Sequence, residues 1–330
     1  MKSTSNLNNP NTNKNNVIII EKIKRIKEII QSDELDKSTY DGIRSLTETE
    51  DKRIASGGSD GNISISSYNI NEMKWTIDIH KEKAHDNSIE SLCTLNGNRL
   101  LSAGSRLIKV WTITNTQITQ IKEINEHKWT VYKLIPLSKQ RFASCSRDQT
   151  VRIWKDNDTY QCLSTLPHNS DVRSILQLRD KDVLVSCGHS SVFGVSFWNI
   201  NDYTKQHSIK GYGVFEATHM IELSNGNVAL SSYISPYPIV VIDCSTYQIV
   251  TVVHLNIKYY SRLCVFNQRS FVYVHDGTFI QISNEDCSVL FQTNKGKFKG
   301  YKGGIVPIEQ GKYFAIENGK RISIIKLCVN

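Results

Sequence analysis

No stretch of the 330-residue chain stays apolar for more than a handful of residues, so no segment is long enough to cross a membrane as a helix. The first sixteen residues hold seven asparagines and no apolar h-region, so no secretory signal is expected there. The eight cysteines, Cys93, Cys145, Cys162, Cys187, Cys244, Cys264, Cys287 and Cys328, form no C-x-x-C pair and are spread along the chain. A disulfide framework or a zinc site would cluster them, so the expected reading is buried free thiols in a reducing compartment. Signatures of catalysis are missing as well. There is no H-E-x-x-H, no G-x-S-x-G, no dinucleotide-type glycine loop and no Walker loop. No enzyme activity, metal or cofactor is therefore expected. Nor is there a long linker or a shift in composition that would divide the chain. Residues 1–17 read as a disordered Asn-rich tail and 18–330 as one domain. Net charge is +8, from 40 basic and 32 acidic residues, an excess that permits an acidic partner without requiring one.

What the chain does have is self-similarity. Phe142-Ala143-Ser144 is followed by a polar turn, Arg147-Asp148-Gln149, and by the alternating run Thr150–Trp154. The same succession of small apolar strand, tight turn and alternating strand recurs around Ser56, Ser102, Ser186, Ser231, Val272 and Phe314. With Ser144 these anchors are 46, 42, 42, 45, 41 and 42 residues apart. Seven copies near a 42-residue period match the length of a four-stranded propeller blade, and period-2 alternation argues against a helical solenoid. The turns Asp60-Gly61, Asp276-Gly277 and Asn318-Gly319 are hairpin signals. Pro136 and Pro307 fall in predicted innermost strands, where one edge is unpaired and a proline costs little. The chain ends after the third strand of the last copy. The segment Glu21–Ile30 precedes the first copy and can supply the missing strand. Ile19, Ile23, Ile26 and Ile30 also stand at helical spacing, so a short basic amphipathic helix is the rival reading of that segment.

These units resemble WD repeats, best in the second to fourth copies. The resemblance implies an all-β, seven-bladed β-propeller of four-stranded antiparallel blades, its ring closed by an N-terminal strand that completes the last blade. It also implies a structural tetrad of His, Ser, Asp and Trp in each well-formed repeat. The third copy holds all four, His127, Ser144, Asp148 and Trp154. The second keeps His85, Ser102 and Trp111 without the Asp, and the fourth keeps His168, Ser186 and Trp198. The first has Ser56 and Asp60, with Ser66 where the Trp would stand, and copies five to seven lack the tetrad. Recurring once per blade, these histidines should stand too far apart to share a metal. No Trp is followed by Asp, so the repeat count carries the resemblance rather than the dipeptide. The Phe-Arg-Arg-Gly of lipid-binding propellers and the Arg expected of ubiquitin-ligase receptors are both missing.

Propellers of this family mostly serve as non-catalytic platforms. The implied function is a scaffold or adaptor that binds a partner peptide or domain on one face. The candidate contact residues are Trp129, Arg147, Tyr233, Tyr260, Lys297, Phe298, Lys299 and Tyr301, aromatic and cationic side chains in loops of the tetrad face. Trp129 is the expected exposed anchor. The last four belong to a Gly- and Lys-rich run, 295–304, suited to an acidic or phosphorylated protein segment. Nucleic acid or anionic lipid held through that loop and the basic segment Lys22–Lys27 is the alternative, and a propeller enzyme the remote one. A monomeric propeller within a complex is expected. The cytoplasm is the expected compartment, and nothing in the sequence speaks against the nucleus.

Overall fold

The computed structural model describes residues 26–36, 42–69, 72, 74–188, 193–210, 217–232, 239–253, 262–275, 278–292, 305–308, 313–318 and 321–329. Every element is a strand, and the strands fall into antiparallel sheets of four. Chain order puts a separate strand, β1 (Ile26–Asp36), before the first blade. The first blade is β2 (Ile43–Glu48), β3 (Ile54–Gly58), β4 (Ile63–Asn69) and β5 (Lys74–Lys81). The second is β6 (Ile89–Leu95), β7 (Arg99–Gly104), β8 (Leu107–Ile113) and β9 (Ile118–Ile124). The third is β10 (Val131–Leu137), β11 (Arg141–Ser146), β12 (Thr150–Lys155) and β13 (Cys162–Pro167). The fourth is β14 (Val172–Gln177), β15 (Val183–Gly188), β16 (Phe193–Asn199) and β17 (Lys205–Lys210). The fifth is β18 (Ala217–Glu222), β19 (Val228–Ser232), β20 (Ile239–Asp243) and β21 (Gln248–Val253). The sixth is β22 (Arg262–Asn267), β23 (Ser270–His275), β24 (Thr278–Ser283) and β25 (Val289–Gln292).

These six consecutive blades each pair in chain order. The seventh copy read in the sequence supplies only three strands, β26 (Ile305–Ile308), β27 (Tyr313–Asn318) and β28 (Arg321–Val329). They form a further sheet with β1, in the order β1-β28-β27-β26, Ile26 standing opposite Val329 and Asp36 opposite Arg321. The segment with two readings is thus extended from Ile26 to Asp36, and the helical alternative fails there. Its earlier part, 19–25, lies outside the described residues.

The alternation of side chains explains the stacking of the blades. Odd and even positions of one strand face opposite neighbours. Phe142 and Trp154 pack toward the second blade with Leu101 and Val110. Ala143, Cys145, Val151 and Ile153 pack toward the fourth with Ile175 and Trp198. A second strand covered on both faces is buried throughout, as β11 is from Arg141 to Ser146, whereas the outermost strand β9 is buried only at its two ends. The blades approach closely where the chain is small. A Cβ on Gly57 would stand 2.7 Å from Cγ2 of Ile89 on the next blade. Pro136, on β10, is exposed at the sheet edge, where its missing N–H leaves no ladder bond unmade.

Two bulges recur. In the first strand of blades one to five, one residue is inserted after the first pair of the ladder: Arg44, Glu90, Tyr132, Arg173 and Thr218. In the outer strands the ladder slips opposite the third strand, leaving Asp78, Ile121 and Leu163 as the extra residues in the first three blades.

Candidate partner-binding face

The tetrad of the third blade starts from a loop and ends in the sheet. Trp154 donates its indole N–H to Ser144 Oγ at 2.8 Å, and the Ser144 hydroxyl donates to His127 Nε2 at 2.6 Å. His127 Nδ1 donates to Asp148 at 2.7 Å. Each group is buried, so each donor and acceptor needs its partner. Asp148 also accepts from the backbone N–H of Lys128 at 3.0 Å and from Thr150. Burial would raise the Asp148 carboxyl, but the bonds from His127 and Thr150 outweigh it and hold the group well below the usual carboxylate range.

The second and fourth blades solve the missing carboxylate differently. In the fourth, Trp198 donates to Ser186 Oγ at 2.9 Å and Ser186 to His168 Nε2 at 2.7 Å. His168 Nδ1 lies 3.1 Å from the carbonyl of Leu166, which can only accept. The ring is therefore protonated on Nδ1 and accepts on Nε2. Burial pushes His168 down to about 4, with the Lys205 charge adding and the Leu166 bond opposing. In the second blade Trp111 and His85 both meet Ser102 Oγ at 2.7 Å. Burial, with Lys109 nearby, pushes His85 down to about 4. A two-residue turn, Ser105-Arg106, stands where the third blade has Arg147-Asp148-Gln149, so no carboxylate is presented there. In the first blade Asp60 binds the backbone and side chain of Asn62 at 3.0 and 2.9 Å, and Ser66, in the place of the Trp, has a buried Oγ without a partner among the described residues.

The third tetrad also fixes what it displays. Lys128 N–H is held by Asp148, Ser146 Oγ donates to the Trp129 carbonyl at 3.0 Å, and Arg147 N–H donates to the Thr130 carbonyl at 2.8 Å. The backbone on both sides of Trp129 is thereby pinned while its side chain is 61% exposed, a large apolar surface held in water. Arg147 stacks over the indole at 5.8 Å, and Arg173 lies over the Tyr132 ring at 4.2 Å. Of the candidate contact residues, Trp129 and Arg147 are thus brought together. Tyr233, Tyr260, Lys297, Phe298, Lys299 and Tyr301 lie outside the described residues, as do residues 22–25 of the basic segment Lys22–Lys27, whose last two residues open β1.

Two sets of residues escaped the sequence reading. One is the bulge series in the first strands, which sets Arg173 over the Tyr132 ring with Arg147 within electrostatic reach of that ring. The other is a row of arginines three positions before the tetrad serine, which tie each of the first three blades to the next. Arg53 donates to the Thr114 carbonyl at 2.8 Å, Arg99 pairs with Asp156, and Arg141 binds the Ile200 carbonyl. The constant offset, Arg53 to Ser56, Arg99 to Ser102 and Arg141 to Ser144, was a signal available in the repeats. Among the described residues no group of three or more His, Cys, Asp or Glu side chains could hold a metal ion. None of the described cysteines is in a disulfide; Cys162 and Cys287 are partly exposed and the other five buried.

Blades of four antiparallel strands, three of them pinned by His–Ser–Trp networks of one geometry, define a β-propeller of repeated units. The profile of the family described as "WD domain, G-beta repeat" matches residues 118–155, the outer strand of the second blade and most of the third. The ubiquitin homeostasis protein lub1 of Schizosaccharomyces pombe is 35% identical over 111 residues, 33% of this chain and 14% of that protein. The nuclear distribution protein PAC1 of Arthroderma benhamiae is 29% identical over 171 residues, 48% of this chain and 36% of that protein. The matches thus span from about a seventh to about a third of these relatives' lengths. Fold, tetrads and likenesses together support a WD-repeat family assignment.

Proposed function

We propose that the chain is a non-catalytic protein-interaction scaffold that docks a partner peptide or domain on the face carrying the tetrad loops. One observation carries this reading: Trp129 stands 61% exposed on a backbone fixed from both sides. An immobilised exposed aromatic costs little further ordering on binding and is the kind of group that anchors interfaces. The relatives are named for processes, ubiquitin homeostasis and nuclear distribution, and WD-repeat propellers are in general non-catalytic platforms.

The scaffold is inferred to be one domain, residues 18–330, arranged as a closed ring of seven blades. The sheet β1-β28-β27-β26 supports closure, because it draws on both ends of the chain and β26 stands beside both β22 and β2. A monomer acting within a complex in the cytoplasm fits this reading.

The test is affinity purification with mass spectrometry, comparing the wild-type chain with Trp129→Ala after thermal melts establish that both fold. Defined protein partners lost from the variant support the reading. Partners that remain undiminished would move the docking site off this face, and recovery of a turnover product in place of a stable partner would replace the scaffold with an enzyme.

A further inference from the structure

The first strands of successive blades stand side by side, and in blades one to four the bulge near the start of the strand re-aims one described side chain out of the ladder. The four side chains so released are cationic, anionic, aromatic and cationic in turn. The first two satisfy each other, Arg44 reaching both carboxylate oxygens of Glu90 at 3.2 and 3.1 Å. The second two do not. Tyr132 offers Arg173 only the face of its ring, and a single terminal nitrogen of Arg173 reaches Asp171, at 3.2 Å. Its Nε is buried without an acceptor. Arg147, on the adjacent turn, is exposed, its guanidinium over the Trp129 ring and without an ion pair among the described residues. Burial raises the Tyr132 phenol, with Arg173 and Arg147 pulling it down and Asp171 and Glu90 pushing it up, so both arginines and both acids lie within electrostatic reach of one ring.

We propose that Arg147 and Arg173, flanking Tyr132, bind the carboxylates of an acidic peptide segment of a partner protein, with an apolar side chain of that segment seated on Trp129. This rests on the docking reading above. A guanidinium offers parallel N–H donors that match a carboxylate, and the terminal nitrogens of both arginines supply them. Glu90 and Asp171 decide against a nucleic-acid strand. They sit among the cations and would repel a continuous row of phosphates, whereas discrete carboxylates can be spaced between them.

The experiment probes the full chain on an array of immobilised peptides that vary in Asp and Glu content around one aromatic residue. A matched array has Gln and Asn for the acids, a third has Lys, and fluorescent oligouridylate is offered separately. The variants are Arg147→Glu, Arg173→Glu, Trp129→Ala and, as a control at the far end of a blade, Lys181→Glu. Binding concentrated on acidic peptides, about tenfold weaker or more in Arg147→Glu and unchanged in Lys181→Glu, is the expected result. Gain of binding to the Lys peptides by Arg147→Glu would add a charge swap that a structural role cannot produce. Arg147 is exposed, so its variant keeps the test alive if Arg173→Glu fails to fold. Peptide binding that needs Trp129 but ignores peptide charge overturns the acidic proposal and leaves docking in place. Absence of any Trp129-dependent binding overturns both. Retention of oligouridylate that depends on Arg147, without acidic peptides, replaces the proposal with a nucleic-acid site.

Discussion

Arg99 on the second blade and Asp156 in the β12–β13 turn of the third, 57 residues apart in the chain, meet through two hydrogen bonds at 2.5 and 3.1 Å. Asp156 is nearly buried and Arg99 only 23% exposed, and Tyr160 lies 3.4 Å from the guanidinium. The pair crosses the boundary between the second and third blades, where Ser91 Oγ also accepts from the Leu134 N–H at 3.0 Å. Removing one partner leaves the other charge poorly solvated, so Arg99→Ala and Asp156→Ala should each destabilise by about 2 kcal/mol. The double variant should cost less than the sum of the two, and urea unfolding of the four proteins measures that difference.

Gly61 and Gly226 separate two effects of a side chain. Both have positive φ, +75° and +82°, so an alanine at either adopts a backbone that costs about 1 kcal/mol. Around Gly226 the added Cβ meets nothing within 4 Å, whereas at Gly61 it would stand 2.1 Å from the carbonyl oxygen of His85. That oxygen belongs to the loop entering the second blade, whose His85 N–H bonds the Gly61 carbonyl at 2.9 Å. Gly226→Ala should lower the melting temperature by a few degrees, and Gly61→Ala by much more, with lost expression as the extreme. Equal effects would mean that this contact between blades yields without cost.

Histidines 85 and 168 set an acid limit on stability. Both are pushed down to about 4 by burial, against an ordinary value of 6.5 in the unfolded chain. Between those values the unfolded chain takes up protons that the fold refuses, so stability is full above pH 6.5, falls as pH drops toward 4 and levels off below. Each histidine contributes at most about 3 kcal/mol to that fall. Melting temperature measured from pH 7 to pH 4.5 should decline. His168→Gln should melt lower than wild type at pH 7 and show a shallower decline, and parallel curves would remove His168 from this account.

The parts legible in the sequence were those written within one repeat. Ser144, Asp148 and Trp154 lie within ten residues of one another, so strand alternation and turn chemistry place them without knowledge of any other blade. His127 follows from the repeat itself. What partners across blades was not legible. Arg53 finds Thr114 and Arg141 finds Ile200 only because neighbouring blades stack, and a backbone carbonyl such as that of Leu166 has no letter of its own. Bulges were hidden for a related reason. An inserted residue such as Tyr132 leaves the apolar pattern of its strand intact and shows itself only in the register against the partner strand.

Ser144 is the branch point of the third tetrad, accepting from Trp154 and donating to His127, and all three side chains are buried. Ser144→Ala would leave an indole N–H and an imidazole nitrogen without partners at once. The expected cost is about 2–4 kcal/mol, from two buried polar groups left unmatched. The loss should be coupled to the indole. Trp154→Phe removes the unmatched donor, so in the Ser144→Ala background it should cost less than it does in wild type, where it breaks the bond and also opens space beside Phe142. The same substitution should reach the docking face. Without Ser144 the imidazole loses its inner anchor and Asp148 its fixed donor, which frees Lys128 N–H and the backbone beside Trp129. Faster amide hydrogen exchange at Lys128 and Thr130 in Ser144→Ala, with exchange in the fifth blade unchanged, would locate that coupling in the tetrad. Uniform acceleration across all blades would instead make Ser144 a determinant of global stability alone.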